Sequence, residues 1–188
     1  MIGSLLYIIY ITRPNTARAL SKLLEFLRNL SPLHNAAARR VIAYLYQTKT
    51  LAIEYLGQNI GSQAFTEASD AAFRDNLISR RSTEGYLFTL FGGAINWHST
   101  KQTSVTKSSI EAKLTALLYT GTESIWWSHF FKEIGMSFNN RQTIYYDNLQ
   151  TIQLLTKHGP ELSIKLRHVD IHHYWLRQEV RDNQIKIN

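Results

Sequence analysis

The order in which the hydrophobic periodicity changes along the chain constrains the fold more than any other feature of this sequence. Beyond residue 63, three β-type patterns come first, and helical and β-type patterns follow. The predicted elements are strands at Ala64–Ala72, Gly85–Phe91 and Ala94–Ser99, one long helix or two abutting helices at Ser108–Ile134, a strand at Thr143–Tyr146, helices at Asn148–Lys157 and Val169–Arg181, and a strand beginning at Gln184–Ile187. Gly92-Gly93 is a hairpin signal. This order predicts an α/β domain with a mixed sheet.

The first 57 residues have a different, mainly helical pattern. Its predicted elements are a buried strand or helix start at Ile2–Ile11, an amphipathic helix at Pro14–Leu30, a helix capped by Ser31 and begun by Pro32, a strand at Leu51–Tyr55 and a linker at Gly57–Gly61. The first apolar run has no basic flank of a signal peptide and is too short to span a bilayer, so no membrane association is expected. The sequence therefore predicts two parts, 1–57 and 58–188.

The charge of the chain indicates a polyanionic partner. There are 21 Lys and Arg residues against 14 Asp and Glu residues, and residues 1–57 contain seven basic residues and only two acids. Nucleic acid is favoured over a membrane surface as the partner of such a chain, with Arg39 and Arg40 as candidate phosphate contacts. The alternative is that this excess belongs to a solvated helix face. The absence of cysteine excludes disulfides and thiolate metal sites and fits a cytoplasmic or nuclear location.

Three carboxylates occupy positions typical of a metal site. Asp70 lies late in a strand of small residues, Glu111 lies in the first turn of the long helix, and Asp147 follows a strand at its carboxyl end. Oxygen ligands of this kind hold Mg²⁺ or Mn²⁺, and two such ions can activate a water and stabilise the leaving oxygen of a phosphodiester. We therefore expect the three carboxyl groups to lie within reach of one shared ion.

Each of these acids also has a purely structural explanation. Glu111 would complete a capping box that begins at Ser108, and Asp147 is a good N-cap for the next helix. Asp70 could pair with Arg74. Taken one at a time, the structural explanations are favoured. The order of the three acids and their surroundings in the sequence favour the metal site.

Those surroundings form a series of motifs that covers nearly the whole chain. The motifs are Gly3-Ser4-Leu5-Leu6-Tyr7 with Thr12-Arg13-Pro14-Asn15, Ser69-Asp70-Ala71, Arg81-Ser82-Thr83 with Gly85-Tyr86, Gly92-Gly93 with Ile95 and Trp97, Ser108-Ser109-Ile110-Glu111-Ala112, Asp147-Asn148, and Lys165-Leu166-Arg167-His168-Val169-Asp170-Ile171. In this order they resemble the GSLxY…TRPD, SDA, RST-x-GY…GG-x-I-x-W, SSTEAE, CDN and TKHIDI motifs of copia-type retrotransposon polyproteins. The first motif belongs to the end of the reverse transcriptase and the others to the ribonuclease H domain.

The resemblance implies a fold and an activity. The expected fold is an RNase H-like mixed sheet of three antiparallel strands followed by parallel strands, flanked by helices and preceded by a basic helical remnant of the reverse transcriptase at 1–57. The implied activity is two-metal hydrolysis of the RNA strand of RNA–DNA hybrids by four carboxylates. Asp70, Glu111 and Asp147 match three of the four.

The sequence also departs from the family pattern. The family's fourth carboxylate follows the final strand, and this sequence ends at Asn188, so the last strand is expected to be cut short and the final helix to be absent. Asp170 is assigned by motif order to the preceding helix rather than to the fourth position. Lys113 stands where the family usually has an acid, and this surface change is expected to be neutral. No YxDD motif of a polymerase occurs.

Two functional hypotheses follow from the resemblance and its departures. The first is a ribonuclease H-like domain that uses Mg²⁺ or Mn²⁺ and cuts weakly or not at all. The alternative is an inactive, transposon-derived remnant that still binds RNA–DNA hybrid or other nucleic acid. The rest of a retroelement polyprotein is a further expected partner.

Overall fold

A computed structural model describes residues 2–56, 64–76, 79–136, 138, 142–156, 170–182 and 184–188. The helices are α1 (Ile2–Thr12), α2 (Ala17–Leu24, preceded by a 3₁₀ turn at Pro14–Thr16), α3 (Pro32–Gln47), α4 (Ser109–Glu133), α5 (Leu149–Thr156) and α6 (Asp170–Arg181). The strands are β1 (Phe65–Ala72), β2 (Thr83–Leu90), β3 (Gly93–Lys101), β4 (Gln142–Tyr146) and β5 (Ile185–Ile187). Within these residues, no helix combines the length and the apolar character needed to cross a bilayer.

The five strands form one mixed sheet in the order β3-β2-β1-β4-β5. β1, β2 and β3 are antiparallel, whereas β4 is parallel to β1 and β5 is parallel to β4. The predicted hairpin is present, and its turn uses positive φ angles at Phe91 and Gly92. This topology confirms the expected RNase H-like sheet of three antiparallel strands followed by parallel ones.

The main hydrophobic core lies between the sheet and α4, α5 and α6. Its buried residues come from both layers and are Leu114, Leu117, Ile144, Tyr146, Leu155, Leu176, Ile185 and Ile187. Polar contacts also join α4 to β1: Thr120 donates a hydrogen bond of 2.8 Å to Ser69, and the Ser124 hydroxyl lies 2.9 Å from Oε1 of Glu67. These contacts fix the rotation of α4 about its own axis, which determines the side chains it presents to the carboxyl ends of β1 and β4.

The N-terminal helices have a second core and are attached to the far side of the hairpin. This core consists of Ile2, Leu5, Ile9, Leu20, Leu23 and Ala38. The indole Nε1 of Trp97 in β3 donates a buried hydrogen bond of 3.1 Å to the Ile9 carbonyl. Lys101 and Lys22 form ion pairs with Glu25 at 2.9 and 3.3 Å. The N-terminal helices are therefore docked on β3.

Two predictions for the N-terminal part are wrong. The helix predicted at Pro14–Leu30 ends at Leu24, because turns follow it before Ser31 caps α3 through its hydroxyl. The segment predicted as a strand at Leu51–Tyr55 has no regular structure. It lies along the hairpin turn, with the Tyr55 hydroxyl donating to the Ala94 carbonyl and its ring against Gly93. The predicted linker at Gly57–Gly61 lies outside the described residues.

We predict that Trp97→Phe lowers the free energy of unfolding by about 1 kcal/mol. The substitution removes one buried hydrogen bond, so that the Ile9 carbonyl keeps only weaker hydrogen bonds. Urea unfolding followed by circular dichroism measures this change. Trp126→Phe is the matched control, because Trp126 is exposed. Equal effects of the two substitutions would contradict the assigned role of the Trp97 hydrogen bond.

Candidate carboxylate site

Two of the predicted site residues lie side by side at the carboxyl end of the sheet. β1 and β4 are parallel neighbours, and their register pairs Ser69 with Tyr146, so that Asp70 and Asp147 follow as the next pair. Both side chains are open to solvent, with 72% of Asp70 and 65% of Asp147 exposed. Oδ1 of Asp70 also accepts a hydrogen bond of 2.7 Å from the backbone N–H of Ala71. Adjacent strand ends therefore present two carboxylates to the same region of solvent.

A lysine from α4 lies between these two carboxylates. Nζ of Lys113 is 2.5 Å from Oδ1 of Asp147 and 3.8 Å from Oδ1 of Asp70. Only 17% of this lysine side chain is exposed, and its ammonium lies 5.9 Å from the centre of the Tyr146 ring. The expectation that Lys113 is a surface change is wrong, because most of the side chain is buried and its ammonium bridges the acid pair. That the change is neutral stays a prediction.

Glu111 has a different environment. Residues 111 and 113 are about 200° apart around a helix, so a helix that aims Lys113 at the acid pair directs Glu111 elsewhere. Glu111 is buried, and its Oε2 accepts a hydrogen bond of 2.7 Å from the backbone N–H of Lys107. Its own N–H donates to the Ser108 hydroxyl at 3.1 Å. Ser108 therefore caps α4, and the Glu111 carboxylate satisfies a helix-start amide, although that amide belongs to Lys107 and not to Ser108 as in a capping box.

The expected convergence of Asp70, Glu111 and Asp147 on one ion is therefore not observed. Within the part of the chain that the structure describes, no three His, Asp or Glu side chains are placed to hold a metal. Six oxygen ligands at about 2.1 Å are usual for Mg²⁺. The acid pair supplies oxygens from two side chains, and an ammonium already contacts both. Mg²⁺ can be held by one or two carboxylates together with waters, so it is the ammonium between the acids, and not their number, that does not fit a divalent ion here.

The structure does not support the alternative roles of Asp147 as a helix cap and of Asp70 as the partner of Arg74. Asp147 is not the cap of α5, because Oδ1 of Asn148 accepts the hydrogen bond of 3.0 Å from the backbone N–H of Thr151. Asp70 pairs with Lys113 and not with Arg74 among the described residues. Asp170 is the first residue of α6, in agreement with its assignment to that helix.

An open cavity of about 270 Å³ adjoins Asp70 on the sheet. Small side chains form much of its floor, among them Ala68 and Ala72 of β1 and Gly85 of β2. Gly85 is opposite Asp70 in the β1–β2 register, and a Cβ there would approach the His98 carbonyl to 3.0 Å. Arg18 of α2 lies at the rim of the cavity. The small residues around Asp70 leave open space beside its carboxylate.

The two arginines proposed from the charge pattern lie away from this cavity. Arg39 and Arg40 are exposed on α3, next to the buried Ala38. Neither forms an ion pair within the described residues, and neither lines the cavity beside Asp70. Their role in binding nucleic acid stays a prediction.

Sequence reasoning missed Lys113, and a signal for it was present. The SSIEAK segment differs from the SSTEAE motif by an isoleucine in the third position and a lysine in the last. Once Glu111 is assigned to the helix start, helical geometry directs position 113 to another face. The combination would have identified position 113 as the one that faces the acid pair.

Comparison with known proteins indicates the origin of the chain. No protein-family model matches it. It is 33% identical over 186 residues to the retrovirus-related Pol polyprotein from transposon TNT 1-94 of Nicotiana tabacum. The match covers 99% of this chain and 14% of that protein. It is 38% identical over 125 residues to the secreted RxLR effector protein 161 of Plasmopara viticola. That match covers 66% of this chain and 87% of the effector protein.

Among solved structures, the fold is similar to that of the foamy viral protease-reverse transcriptase in complex with dsDNA. The TM-score is 0.50 at 12% identity, and the match covers all of this chain and 37% of that chain. At this identity the likeness concerns the fold alone. The chain spans about one seventh of the length of the tobacco polyprotein, since the match covers 14% of it.

Proposed function

Because the chain belongs to the family of retrovirus-related Pol polyproteins of copia-type retrotransposons, we propose that it is an RNase H-like domain that binds nucleic acid without hydrolysing it. The observation that carries this proposal is the position of the Lys113 ammonium, within 4 Å of both Asp70 and Asp147. In this proposal the internal cation takes the place that divalent metal ions have in a ribonuclease H. The acid pair is then a structural element of a binding surface.

The covalent tether of Lys113 favours its ammonium over a metal ion at this site. Two unit charges 4 Å apart interact by about 1 kcal/mol in water and about 4 kcal/mol at an effective dielectric constant of 20. A divalent ion is attracted to each carboxylate twice as strongly as an ammonium, but beside Lys113 it would also meet twice that repulsion. The lysine is also held in place by its own backbone and by the Tyr146 ring, so that it needs no capture from solution. Mg²⁺ would have to displace this group and find further oxygen ligands.

RNA–DNA hybrid is the proposed partner. The net charge of +7 and the basic residues of 1–57 support attraction to a phosphate backbone. The fold is shared with a reverse transcriptase that was solved with dsDNA bound, which supports nucleic acid as the class of ligand. Contacts to 2′-hydroxyl groups in the wide minor groove would distinguish a hybrid from DNA.

The test is to measure binding and cleavage of one labelled hybrid under the same conditions. We expect the fluorescence anisotropy of a short labelled hybrid to report binding in EDTA that is at least as tight as in Mg²⁺, because no metal takes part in binding and Mg²⁺ competes with the protein for the phosphates. On gels we expect the RNA strand to stay intact in Mg²⁺ and in Mn²⁺. A matched DNA duplex tests the preference for the hybrid.

Each result has a clear meaning for the proposal. Metal-dependent cleavage by the unmodified chain would overturn it and restore the nuclease hypothesis for Asp70 and Asp147. Failure to bind hybrid in either buffer would also overturn it. Equal binding of hybrid and duplex would leave the binding function and remove the preference for RNA–DNA hybrid.

A further inference from the structure

The turn between β1 and β2 contains three arginines whose side chains form no ion pairs within the described residues. Arg74 and Arg80 are exposed, and Arg81 is half-buried. The Arg74 guanidinium lies over the Phe73 ring, 4.8 Å from its centre. The turn therefore presents the positive charges of Arg74 and Arg80 to solvent, with Arg81 half-buried beside them.

The acidic side of the same turn is already neutralised. Asp75 forms ion pairs with Arg18 at 3.0 Å and Lys22 at 3.3 Å, and it also accepts a hydrogen bond from the Thr83 hydroxyl at 2.7 Å. These partners hold Asp75 toward α2. Since α2 supplies the cations for Asp75, the arginines of the turn stay available to a ligand.

Hydrogen bonds fix this turn beside the start of α4. The backbone N–H of Arg74 donates to the Ser82 hydroxyl at 3.1 Å, and that hydroxyl lies 3.0 Å from the hydroxyl of Thr106. Lys107 follows Thr106 and is exposed, and its backbone N–H donates a hydrogen bond to Oε2 of Glu111. The turn and the segment before α4 thus lie together at the end of the sheet where β1 reaches Asp70.

We propose that these four residues, Arg74, Arg80, Arg81 and Lys107, form a basic rim that binds the sugar-phosphate backbone of nucleic acid beside the Asp70–Lys113–Asp147 cluster. The inference rests on the proposed function and assigns that function a binding surface separate from Arg39 and Arg40. A guanidinium matches a phosphate with two parallel hydrogen bonds, so arginines suit this ligand well.

The backbone of the turn supports a role for its arginines beyond stability. Arg74 and Arg80 have φ angles of 50° and 54°, in the left-handed region that favours glycine. A side chain in this conformation is disfavoured by roughly 1–2 kcal/mol relative to a right-handed one. Glycine would be the more stable choice at both positions, so a surface function explains the arginines better than folding does.

The test uses that difference between stability and binding. We expect the double variant Arg74→Gly/Arg80→Gly to melt at the same or a higher temperature than the unmodified chain, since glycine relieves the left-handed backbone. Its binding to the labelled RNA–DNA hybrid should weaken, and the slope of log affinity against log salt should fall by about 1.8, which is about 0.9 for each lost phosphate contact. Lys107→Ala, outside the turn, should lower the slope by about 0.9.

Lys132→Ala is the matched control for lost charge. Lys132 is exposed in the last turn of α4, roughly 35 Å along the helix from its start. We expect this variant to retain the slope of the unmodified chain. If the unmodified chain binds hybrid and the rim variants bind with the same slope, the rim inference is overturned and the proposed function stands. If the unmodified chain does not bind, the proposed function itself fails.

Discussion

Replacing Lys113 with glutamate should convert the carboxylate site into a metal site. The variant would exchange the ammonium between Asp70 and Asp147 for a third carboxylate, a change of two charge units at the centre of the cluster. We expect the affinity for Mn²⁺ to rise by at least about a hundredfold, which corresponds to about 3 kcal/mol. Isothermal titration of the purified chain with Mn²⁺ measures this directly, and the hybrid cleavage assay shows whether hydrolysis follows.

A second variant separates the loss of the cation from the gain of a ligand. Lys113→Met keeps a long side chain across the Tyr146 ring but has neither an ammonium nor an oxygen ligand. We expect it to bind Mn²⁺ more tightly than the unmodified chain and more weakly than Lys113→Glu, because two carboxylates alone give an incomplete ligand set. Equal Mn²⁺ affinity in the unmodified chain and in Lys113→Glu would contradict the geometry assigned to position 113.

Glu67 should make the stability of the fold strongly dependent on pH. It is fully buried between β1 and α4, and burial raises its pKa to about 8, although the hydrogen bond from Ser124 opposes this effect. Its Oε2 has no hydrogen-bond partner within the described residues. The folded state therefore keeps Glu67 protonated between its ordinary pKa of 4.5 and about 8, whereas the unfolded state releases the proton.

The sign of the effect follows from that difference in bound protons. Stability falls as pH rises from about 4.5 to about 8, because over this range the folded state binds more protons than the unfolded state. Above pH 8 the loss of folding stability is complete, and the upper limit of this loss is about 5 kcal/mol. We expect Glu67→Gln to be more stable than the unmodified chain at pH 9 and to lose most of this dependence on pH.

The free energy of unfolding, measured in urea at about pH 5, 7 and 9, tests this prediction. Glu133→Gln is the matched control, because Glu133 is exposed at the end of α4 and the same chemical change there removes no buried carboxyl group. A stability profile of Glu67→Gln that parallels the unmodified chain would show that Glu67 stays ionised in the fold. In that case another group would have to compensate its charge.

Most of the sheet could be predicted from the sequence because its signals are local. Gly92-Gly93 marks a hairpin by turn chemistry alone, and the structure confirms strands on both sides of it. The N-terminal errors have a different origin. The segment that ends at Tyr55 alternates as a strand would. Tyr55 nevertheless packs on the hairpin turn around Gly93 and does not pair with another strand. Contacts of this kind join distant parts of the chain and leave no periodic pattern.

The candidate site could be predicted only in part for a related reason. Asp70 and Asp147 come directly from adjacent parallel strands, so their proximity follows from the topology. Which residue of α4 completes the cluster depends on the rotation of that helix, which is set by packing contacts such as that of Thr120 with Ser69. The motif alone offered positions 111 and 113, and helical geometry separates them only once Glu111 is assigned to the helix start.

The hydrogen bond between Trp97 and Ile9 also has a consequence for how the chain folds during synthesis. The two residues are 88 positions apart, and the apolar helix α1 has no sheet to dock on until β3 is complete. At about 5–20 residues per second, a ribosome needs roughly 4–18 s to make that interval. During these seconds α1 can pack only against α2 and α3, and the face that meets β3 is exposed to other nascent chains and to chaperones. The face of α1 that carries the Ile9 carbonyl is therefore made long before the strand that covers it.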